Sequence, residues 1–277
     1  MSNKNSANNL SEFQNALQPY LHKKRREMPW RFPETDGTFD PYKIMVSEIM
    51  LQQTQVNRVA SKFEEFLRTF PDVQSLAKAE FTTVMKVWSG LGYNRRAKYL
   101  HESAREIVKH HHGNIPKTRN LLTRLPGIGQ NTAAAICVYA YNQPEIFIET
   151  NIRTVFIHHF FKDQTAVRDK DIAPLISQVL DTKSPREFYW ALMDYGTYLK
   201  SAEGNVSKRS THYIKQSAFQ GSRRQIRGKV LKLLIDGPVQ KQQLISSLDD
   251  PRVADVLQEL AHEGLISQNG RLYQISS

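Results

Sequence analysis

Hydrophobic positions recur at helical spacing along most of this chain. Residues three or four apart share one face of a helix, and Phe13, Leu17 and Leu21 follow this spacing in a segment that runs from 11 to 24. The same pattern predicts further helices at 41–70 (two helices), 73–79, 81–89, 95–111, 118–124, after Gly129, and at 151–161, 170–180 and 185–199. Alternating strand patterns are nearly absent before Gly204. We therefore predict an all-α domain at 11–204 that follows a short disordered tail at 1–10.

The composition changes after this domain. Residues 205–222 are rich in Gly, Ser and basic side chains, which predicts a linker. Residues 223–277 then predict three short helices, at 225–235, 241–248 and 252–263. Two strands at 265–267 and 271–275 flank Asn269-Gly270, a dipeptide that hairpin turns prefer. Three helices followed by a hairpin are typical of a winged-helix-like module, which binds DNA or protein.

The charge of the chain favours a nucleic-acid partner. The 277 residues carry a formal net charge of +11, and the pI of about 9.6 is typical of nucleic-acid binders, although other basic enzymes share it. Between Asn205 and Ile235 there are eight Lys or Arg and no Asp or Glu. Lys208 and Arg209 in this run are candidate phosphate contacts. The alternative is a solvated basic linker.

Composition also excludes several classes of site. The chain contains 1 cysteine, Cys137, which cannot form an internal disulfide or a cysteine-ligated zinc or iron–sulfur site. The histidines lack the spacing of metal ligands, so we expect no metal. No apolar run is long enough to span a membrane. The polar N-terminus lacks an apolar segment of the signal-peptide type, which favours a cytoplasmic protein.

A glycine turn opens into a helix of small residues at Leu125-Pro126-Gly127-Ile128-Gly129. Glycine permits backbone conformations that a Cβ forbids and lets another surface come close. The N–H groups at the start of the following helix suit a phosphate. A helix, a glycine hairpin and a second helix can grip one DNA strand without reading its bases. The alternative is a plain structural turn.

Two carboxylates are candidates for chemistry. Glu48 lies on an otherwise apolar helix face, where desolvation would raise its pKa and suit a general acid; the alternative is a buried structural glutamate. Glu149 precedes a helix that Thr150 or Asn151 could cap. The helix N–H groups would keep Glu149 ionised, although a capping acid is the alternative. Carboxylates in opposite protonation states suit cleavage of a glycosidic bond.

Four stretches together resemble a known family. They are Leu125 to Gly129, Met28-Pro29-Trp30-Arg31, Ser47-Glu48-Ile49-Met50-Leu51-Gln52-Gln53-Thr54-Gln55-Val56 and Trp88-Ser89-Gly90-Leu91-Gly92-Tyr93. Taken in their order along the chain, they are similar to the helix–hairpin–helix DNA glycosylases, and most closely to the MutY-type adenine glycosylases. The resemblance covers roughly residues 10 to 200. It implies a two-lobed α-helical fold with a cleft, and removal of a base flipped out of duplex DNA.

The resemblance also implies roles for individual residues. Glu48 would protonate the purine, and Glu149, with Asn151 two residues later, would stabilise the cationic sugar. Gln53 and Tyr93 would wedge into the base stack from the minor groove. Gly127 and Gly129 would hold a phosphate. The residues expected to line the base pocket are Trp30, Arg31, Leu51 and Asn131.

The chain departs from the family in four places. The second acid is Glu149 where the family usually has Asp. Asn131 stands where bifunctional relatives carry a Schiff-base lysine, which implies hydrolysis without strand cleavage. The four cysteines of an iron–sulfur cluster are missing from the segment 200–212, so we expect no cofactor. The module after Arg223 is too short for the domain that recognises 8-oxoguanine in this family.

The sequence therefore predicts a monofunctional DNA glycosylase. Its expected substrate is adenine opposite guanine or 8-oxoguanine in duplex DNA, and we expect a monomer associated with the nucleoid. Thymine or uracil opposite guanine is the alternative substrate. A non-catalytic DNA-binding protein on a relict glycosylase fold is the alternative from another class.

Overall fold

The chain folds into two compact units. The computed structural model describes residues 2–276, with side chains from residue 9 onward. Unit 1 contains the residues up to Pro41 together with Lys117–Arg119 and Gly129–Lys215. Unit 2 contains Tyr42–Pro116, Asn120–Ile128 and the residues from Gln216 onward. Each unit is therefore assembled from segments that are far apart in the sequence.

Unit 1 is organised around one central helix. Its helices are α1 (Ser2–Leu21), α8 (Gln130–Tyr141), α9 (Thr150–Phe160), α10 (Asp169–Val179) and α11 (Pro185–Glu203), with 3-10 turns at Pro29–Arg31 and Val206–Arg209. Helix α9 packs against α1, α10 and α11. Its buried Phe156 ring lies 5.4 Å from the ring of Phe13 in α1. The apolar face predicted for the first helix thus packs against the centre of the unit.

The first part of unit 2 is a helical layer. It contains α3 (Val56–Thr69), α4 (Val73–Lys78), α5 (Phe81–Trp88) and α6 (Arg95–His111), and it is preceded by α2 (Pro41–Leu51). A short helix, α7 (Arg119–Leu122), precedes the glycine turn. Helix α6 packs on α4 and α5, while α3 packs on α5. The indole of Trp88 is fully buried and meets Phe66 edge to face, so these large apolar side chains form the core.

The C-terminal module completes unit 2. It consists of α12 (Arg223–Ile235), β1 (Val239–Gln240), α13 (Lys241–Leu248), α14 (Val253–His262), β2 (Ile266–Asn269) and β3 (Leu272–Ile275). The antiparallel sheet has the order β1-β3-β2. Strand β1 was not predicted, because two residues cannot display an alternating pattern. The predicted helices and hairpin are present, and the winged-helix-like order is confirmed.

Two parts of the predicted organisation differ from the structure. Helix α1 begins at Ser2, so the prediction of a disordered tail at 1–10 is wrong for residues 2–10. Once an apolar face is docked, extending a helix fixes only one further residue for each added hydrogen bond. The predicted linker is also partly folded, because Ser210 pairs with Val167. In this region the boundary between the units falls after Lys215.

Among residues 2–276, no helix is both long and apolar enough for a transmembrane span.

Candidate active site

Glu149 is the N-cap of α9. Its Oε1 accepts hydrogen bonds from the backbone N–H groups of Asn151 at 2.6 Å and Ile152 at 3.0 Å. The sequence suggested Thr150 or Asn151 as the cap and a capping Glu149 as the alternative, and the structure shows the alternative: the Glu149 side chain folds back onto the first turn. No hydrogen bond to Oε2 is formed by the described part of the chain. One carboxylate oxygen is therefore fixed, while the other is available to a ligand.

The environment of Glu149 is less favourable to its charge than the sequence indicated. Burial raises the pKa of the Glu149 carboxyl, and this effect exceeds the opposing influence of the two N–H donors, Lys200 and Arg153. The N–H groups at the start of α9 lower the pKa of Glu149, as the sequence indicated, but burial acts in the opposite direction and is the larger effect. Desolvation disfavours a carboxylate even where backbone donors surround it.

Asn151 is enclosed by α11. Its Oδ1 accepts a hydrogen bond of 3.4 Å from Lys200 Nζ, and its Nδ2 lies 4.0 Å from the sulfur of Met193. A Cβ on Gly196 would come within 2.4 Å of the Asn151 carbonyl oxygen. Only glycine permits this approach, so α11 holds both the backbone and the amide of Asn151. The structure thus brings Glu149 and Asn151 together in unit 1.

Trp30 and Arg31 lie in the interior of unit 1, each 5% exposed. The Arg31 guanidinium donates to Asp194 Oδ2 at 2.8 Å, and Arg26 donates to Oδ1 of the same carboxylate at 2.6 Å. Asp194 on α11 therefore fixes the position of the segment before α2 through these two arginines. The role of these two residues in a base pocket stays a prediction, and the observed contact of Arg31 with Asp194 is structural.

Asn131 is an exposed residue in the first turn of α8. Its Nδ2 donates a hydrogen bond of 2.9 Å to the carbonyl oxygen of Ile148. This contact joins the start of α8 to the residue before Glu149. Asn131 therefore lies close in the fold to the Glu149 segment. A lysine at this position, as in the bifunctional relatives, would place an amine nucleophile beside that segment.

Glu48 lies in the second half of α2, within unit 2. Its neighbours Ser47 and Ile49 are buried, whereas Glu48 and Leu51 are half-buried. The carboxyl group is thus on the accessible edge of an otherwise buried helix. Its role as the general acid stays a prediction.

Gln53 and Tyr93 both adopt left-handed backbone conformations, with φ of 56° and 46°. Such values are uncommon for residues with a side chain. Arg96 lies behind both turns, and its Nη1 donates to the carbonyl oxygens of Ile49, Met50 and Gln52 at 2.8, 2.8 and 2.6 Å. Its Nη2 donates to Gly92 O at 3.1 Å. This buried guanidinium holds together the two turns that present the predicted wedge residues.

A cavity of about 980 Å³ lies in unit 2 beside these turns. Gln53 and Tyr93 line it on one side, and α12 lines it on the other. Arg224 of α12 donates a hydrogen bond of 2.7 Å to the Tyr93 hydroxyl. The C-terminal module thus contacts the predicted wedge directly, which the sequence did not indicate.

The glycine turn shows two different uses of glycine. Gly127 has a φ of +72°, and a Cβ there would lie 2.6 Å from Tyr99 Cβ. Gly129 is extended, with φ of −83° and ψ of 176°, and it is the N-cap of α8. A Cβ at Gly129 would meet no atom within 4 Å. The backbone therefore requires glycine at position 127, as expected, but not at position 129. The space beside Gly129, at the start of α8, is open.

The basic segment after α11 is partly structural. Arg209 donates through Nη1 to the carbonyl oxygens of Phe161 and Lys162, whereas Lys208 is exposed. Of these two predicted phosphate contacts, Lys208 is exposed to solvent, whereas Arg209 is half-buried and bound to backbone carbonyl oxygens. The segment 200–212 contains no cysteine, so its residues do not fit an iron–sulfur cluster. Cys137 lies buried in α8, where desolvation raises the pKa of its thiol to about 11.

Three residues near the predicted site were missed by sequence reasoning: Arg96, Lys200 and Arg224. Each acts through a contact with a residue that is distant in the sequence or lies in another helix. In a chain of net charge +11, the sequence alone does not distinguish a basic residue with a specific partner from the other basic residues. The described residues also contain no group of three or more His, Cys, Asp or Glu that could hold a metal ion.

Comparison with known proteins places this chain among DNA repair proteins. Residues 46–177 match the family described as HhH-GPD superfamily base excision DNA repair protein. The adenine DNA glycosylase of Mycolicibacterium smegmatis is 34% identical over 88% of this chain and 89% of the relative. That of Mycobacterium tuberculosis is 30% identical, with 91% and 89% covered.

Solved structures show the same fold. A thermostable thymine-DNA glycosylase aligns with a TM-score of 0.62 and 23% identity, covering 75% of this chain and 98% of that chain. Endonuclease III in a non-covalent complex with DNA aligns with a TM-score of 0.57 and 14% identity, covering 73% and 89%. The chain belongs to the HhH-GPD superfamily of base excision DNA repair proteins and, within it, to the adenine DNA glycosylase family.

Proposed function

We propose that this protein is a monofunctional DNA glycosylase that removes adenine opposite guanine or 8-oxoguanine in duplex DNA. The observation that carries the proposal is the Glu149 carboxylate, which is fixed by α9 through Oε1 and keeps Oε2 available. The adenine DNA glycosylases at 30–34% identity over most of the chain support adenine as the base. The protein acts as a monomer on cellular DNA in the cytoplasm, at the nucleoid.

The reaction in this proposal is dissociative. Gln53 and Tyr93 fill the stack after the nucleotide flips out. Glu48 gives its proton to a ring nitrogen of adenine as the glycosidic bond breaks, and the bonding electron pair leaves with the base. The sugar becomes an oxocarbenium-like cation, which the negative charge of Glu149 stabilises. Water then adds to C1′ and loses a proton, which gives an abasic site.

Hydrolysis rather than strand cleavage follows from Asn131. A Schiff-base lyase needs an amine at this position, and an amide cannot attack the sugar. The chemistry requires proton transfer and charge stabilisation alone, so the proposal includes no cofactor. The absence of cysteine ligands for a cluster from segment 200–212 agrees with this.

The test uses end-labelled duplexes that contain A opposite G, A opposite 8-oxoguanine, T opposite G or U opposite G. Each is incubated with the protein and then divided between alkali and neutral quenching. Breaks that appear only after alkali, and only in strands with A, support a monofunctional adenine glycosylase. Breaks at T or U move the protein to pyrimidine mismatches. Tight binding without any breaks identifies a non-catalytic DNA-binding protein.

Two matched variants make this test specific to the carboxylates. Glu48→Gln and Glu149→Gln preserve side-chain size and remove the acid or the charge. Both are expected to abolish release of adenine while leaving duplex affinity within about threefold, since phosphate contacts supply most of the affinity. An equal loss of affinity and turnover in either variant would assign that carboxylate a structural role.

A further inference from the structure

We propose that Lys200 is a positioning residue of the catalytic site, which orients the amide of Asn151 and holds the negative charge of Glu149 ready for the sugar cation. This inference rests on the proposed function. Lys200 lies in the segment that carries no cluster cysteines, and neither the sequence nor the family relationship assigns it a role.

One face of α11 contacts Asn151. Met193, Gly196 and Lys200 are spaced three and four residues apart and so share one face of this helix. All three meet Asn151: Met193 through its sulfur, Gly196 through its backbone and Lys200 through its ammonium group. The close approach at Gly196 brings the next turn of α11 near enough for Lys200 to reach Oδ1. The face is therefore built around Asn151.

Lys200 is half-buried and forms no salt bridge within the described part of the chain. Its hydrogen bond is to a neutral amide at 3.4 Å. Burial lowers the pKa of the Lys200 ammonium, and Glu149 is the charged group that opposes this effect. Desolvating a lysine is unfavourable unless a negative charge nearby offsets it. Glu149 supplies that charge.

A second cation, Arg153, also acts on Glu149. Arg153 is one helical turn away on α9, but it is bound to Asp169 at 2.6 and 2.8 Å. Its charge is therefore largely balanced by its own partner. Among the described groups that lower the pKa of Glu149, Lys200 and Arg153 are the two cations, and Lys200 is the one without a carboxylate bound to it. Lys200 thus offsets the unfavourable effect of burial on Glu149.

This arrangement has a chemical use. Lys200 acts on Glu149 through its field and contacts Asn151 instead, so that Glu149 Oε2 remains available to the substrate. A carboxylate that stayed protonated in this partly desolvated site could not stabilise a cationic sugar. The ammonium group therefore keeps the stabilising charge in place without occupying the position of the sugar.

The decisive experiment titrates Glu149 in the full-length protein without DNA. Carboxyl resonances of protein labelled with ¹³C at glutamate Cδ are followed by NMR, and Glu149→Gln identifies the signal. Lys200→Met is expected to raise the titration midpoint of Glu149 by about one pH unit, which corresponds to a tenfold change in its ionisation equilibrium. Lys200→Arg is expected to restore it. Because no substrate is present, this result does not depend on the proposed glycosylase activity.

The same variants are then compared for single-turnover release of adenine as a function of pH. Lys200→Met is expected to move the acidic limb of the profile upward by the same amount, while Lys200→Arg and the control Lys170→Met leave it in place. Lys170 is exposed on α10. An unchanged Glu149 midpoint in Lys200→Met would overturn the proposal. So would a borohydride-trapped protein–DNA adduct that Lys200→Met abolishes, because Lys200 would then be a nucleophile.

Discussion

The guanidinium of Arg224 lies over the ring of Tyr93, with Cζ 5.7 Å from the ring centroid, and donates a hydrogen bond of 2.7 Å to its hydroxyl. Arg224 is held in turn by the carbonyl oxygen of Ser217 at 2.7 Å. The C-terminal module therefore fixes the position of a residue that belongs to the turn before α6. This contact gives the module a structural connection to the predicted wedge.

Removal of this contact should weaken base flipping. In Arg224→Ala, Tyr93 loses a partly exposed hydrogen bond from a charged donor. We expect this loss to cost about 1 kcal/mol, which lowers the equilibrium constant for base flipping about fivefold. Fluorescence of 2-aminopurine next to the target adenine measures this equilibrium. Arg223→Ala is the matched control, because Arg223 pairs with Glu259 instead. If the two variants behave alike, the effect is one of net charge.

Arg96 should be the most sensitive basic residue of unit 2. Arg96→Met leaves the carbonyl oxygens of Ile49, Met50 and Gln52 without their donor, and hydrogen bonds to a charged group contribute about 1.5–3 kcal/mol each. We expect a loss of at least about 3 kcal/mol in the free energy of unfolding, measured with urea. Arg95→Met, at an exposed position, should change it by less than about 0.5 kcal/mol. Similar values for the two variants would contradict the role of Arg96.

The two glycines of the turn should separate stability from DNA binding. Gly127→Ala places a Cβ at positive φ and against Tyr99, so the free energy of unfolding should fall by about 1–3 kcal/mol. Gly129→Ala meets no protein atom and should leave stability within about 0.5 kcal/mol. Its methyl group would occupy the space that a phosphate needs at the start of α8, so duplex affinity should fall. A Gly129→Ala protein with normal affinity would show that no phosphate binds there.

Stability should decrease in acid because of two buried histidines. Burial lowers the pKa of His101 to about 4 and that of His159 to about 4, from about 6.5 in an unfolded chain. Below pH 6.5 the unfolded state binds protons that the folded state excludes, so the free energy of unfolding falls until about pH 4. Urea unfolding at a series of pH values measures this slope. His101→Phe should reduce it, whereas replacement of the exposed His112 should leave it unchanged.

The sequence predicted the helices well where local patterns determine them. Helix α6 (Arg95–His111) and helix α13 (Lys241–Leu248) have the predicted bounds. Both helices end at a residue in the left-handed conformation, His112 after α6 and Asp249 after α13. The N-cap of α9 was harder to predict from the sequence, because Glu is a less common N-cap than Ser, Thr, Asp or Asn. Side-chain reach in the folded structure decided that cap.

Long-range contacts could not be predicted from the same patterns. Arg31 and Arg209 were expected at DNA or base surfaces, yet Arg31 binds Asp194 and Arg209 binds backbone carbonyl oxygens near Phe161. Their partners are far away in the sequence. Lys200 and Arg224 were missed for the same reason. A basic residue shows its role only when the fold reveals which acceptor is near it.

The division of unit 1 into distant segments has a consequence for biosynthesis. Helix α1 packs on α9 and α11, but the chain from Tyr42 to Pro116 is made before either of them. Translation proceeds at roughly 5–20 residues per second, so α1 leaves the ribosome on the order of ten seconds before its partners. During this interval Phe13 and Leu17 have no native surface to cover them. Unit 1 can therefore complete its packing only after α11 has emerged from the ribosome.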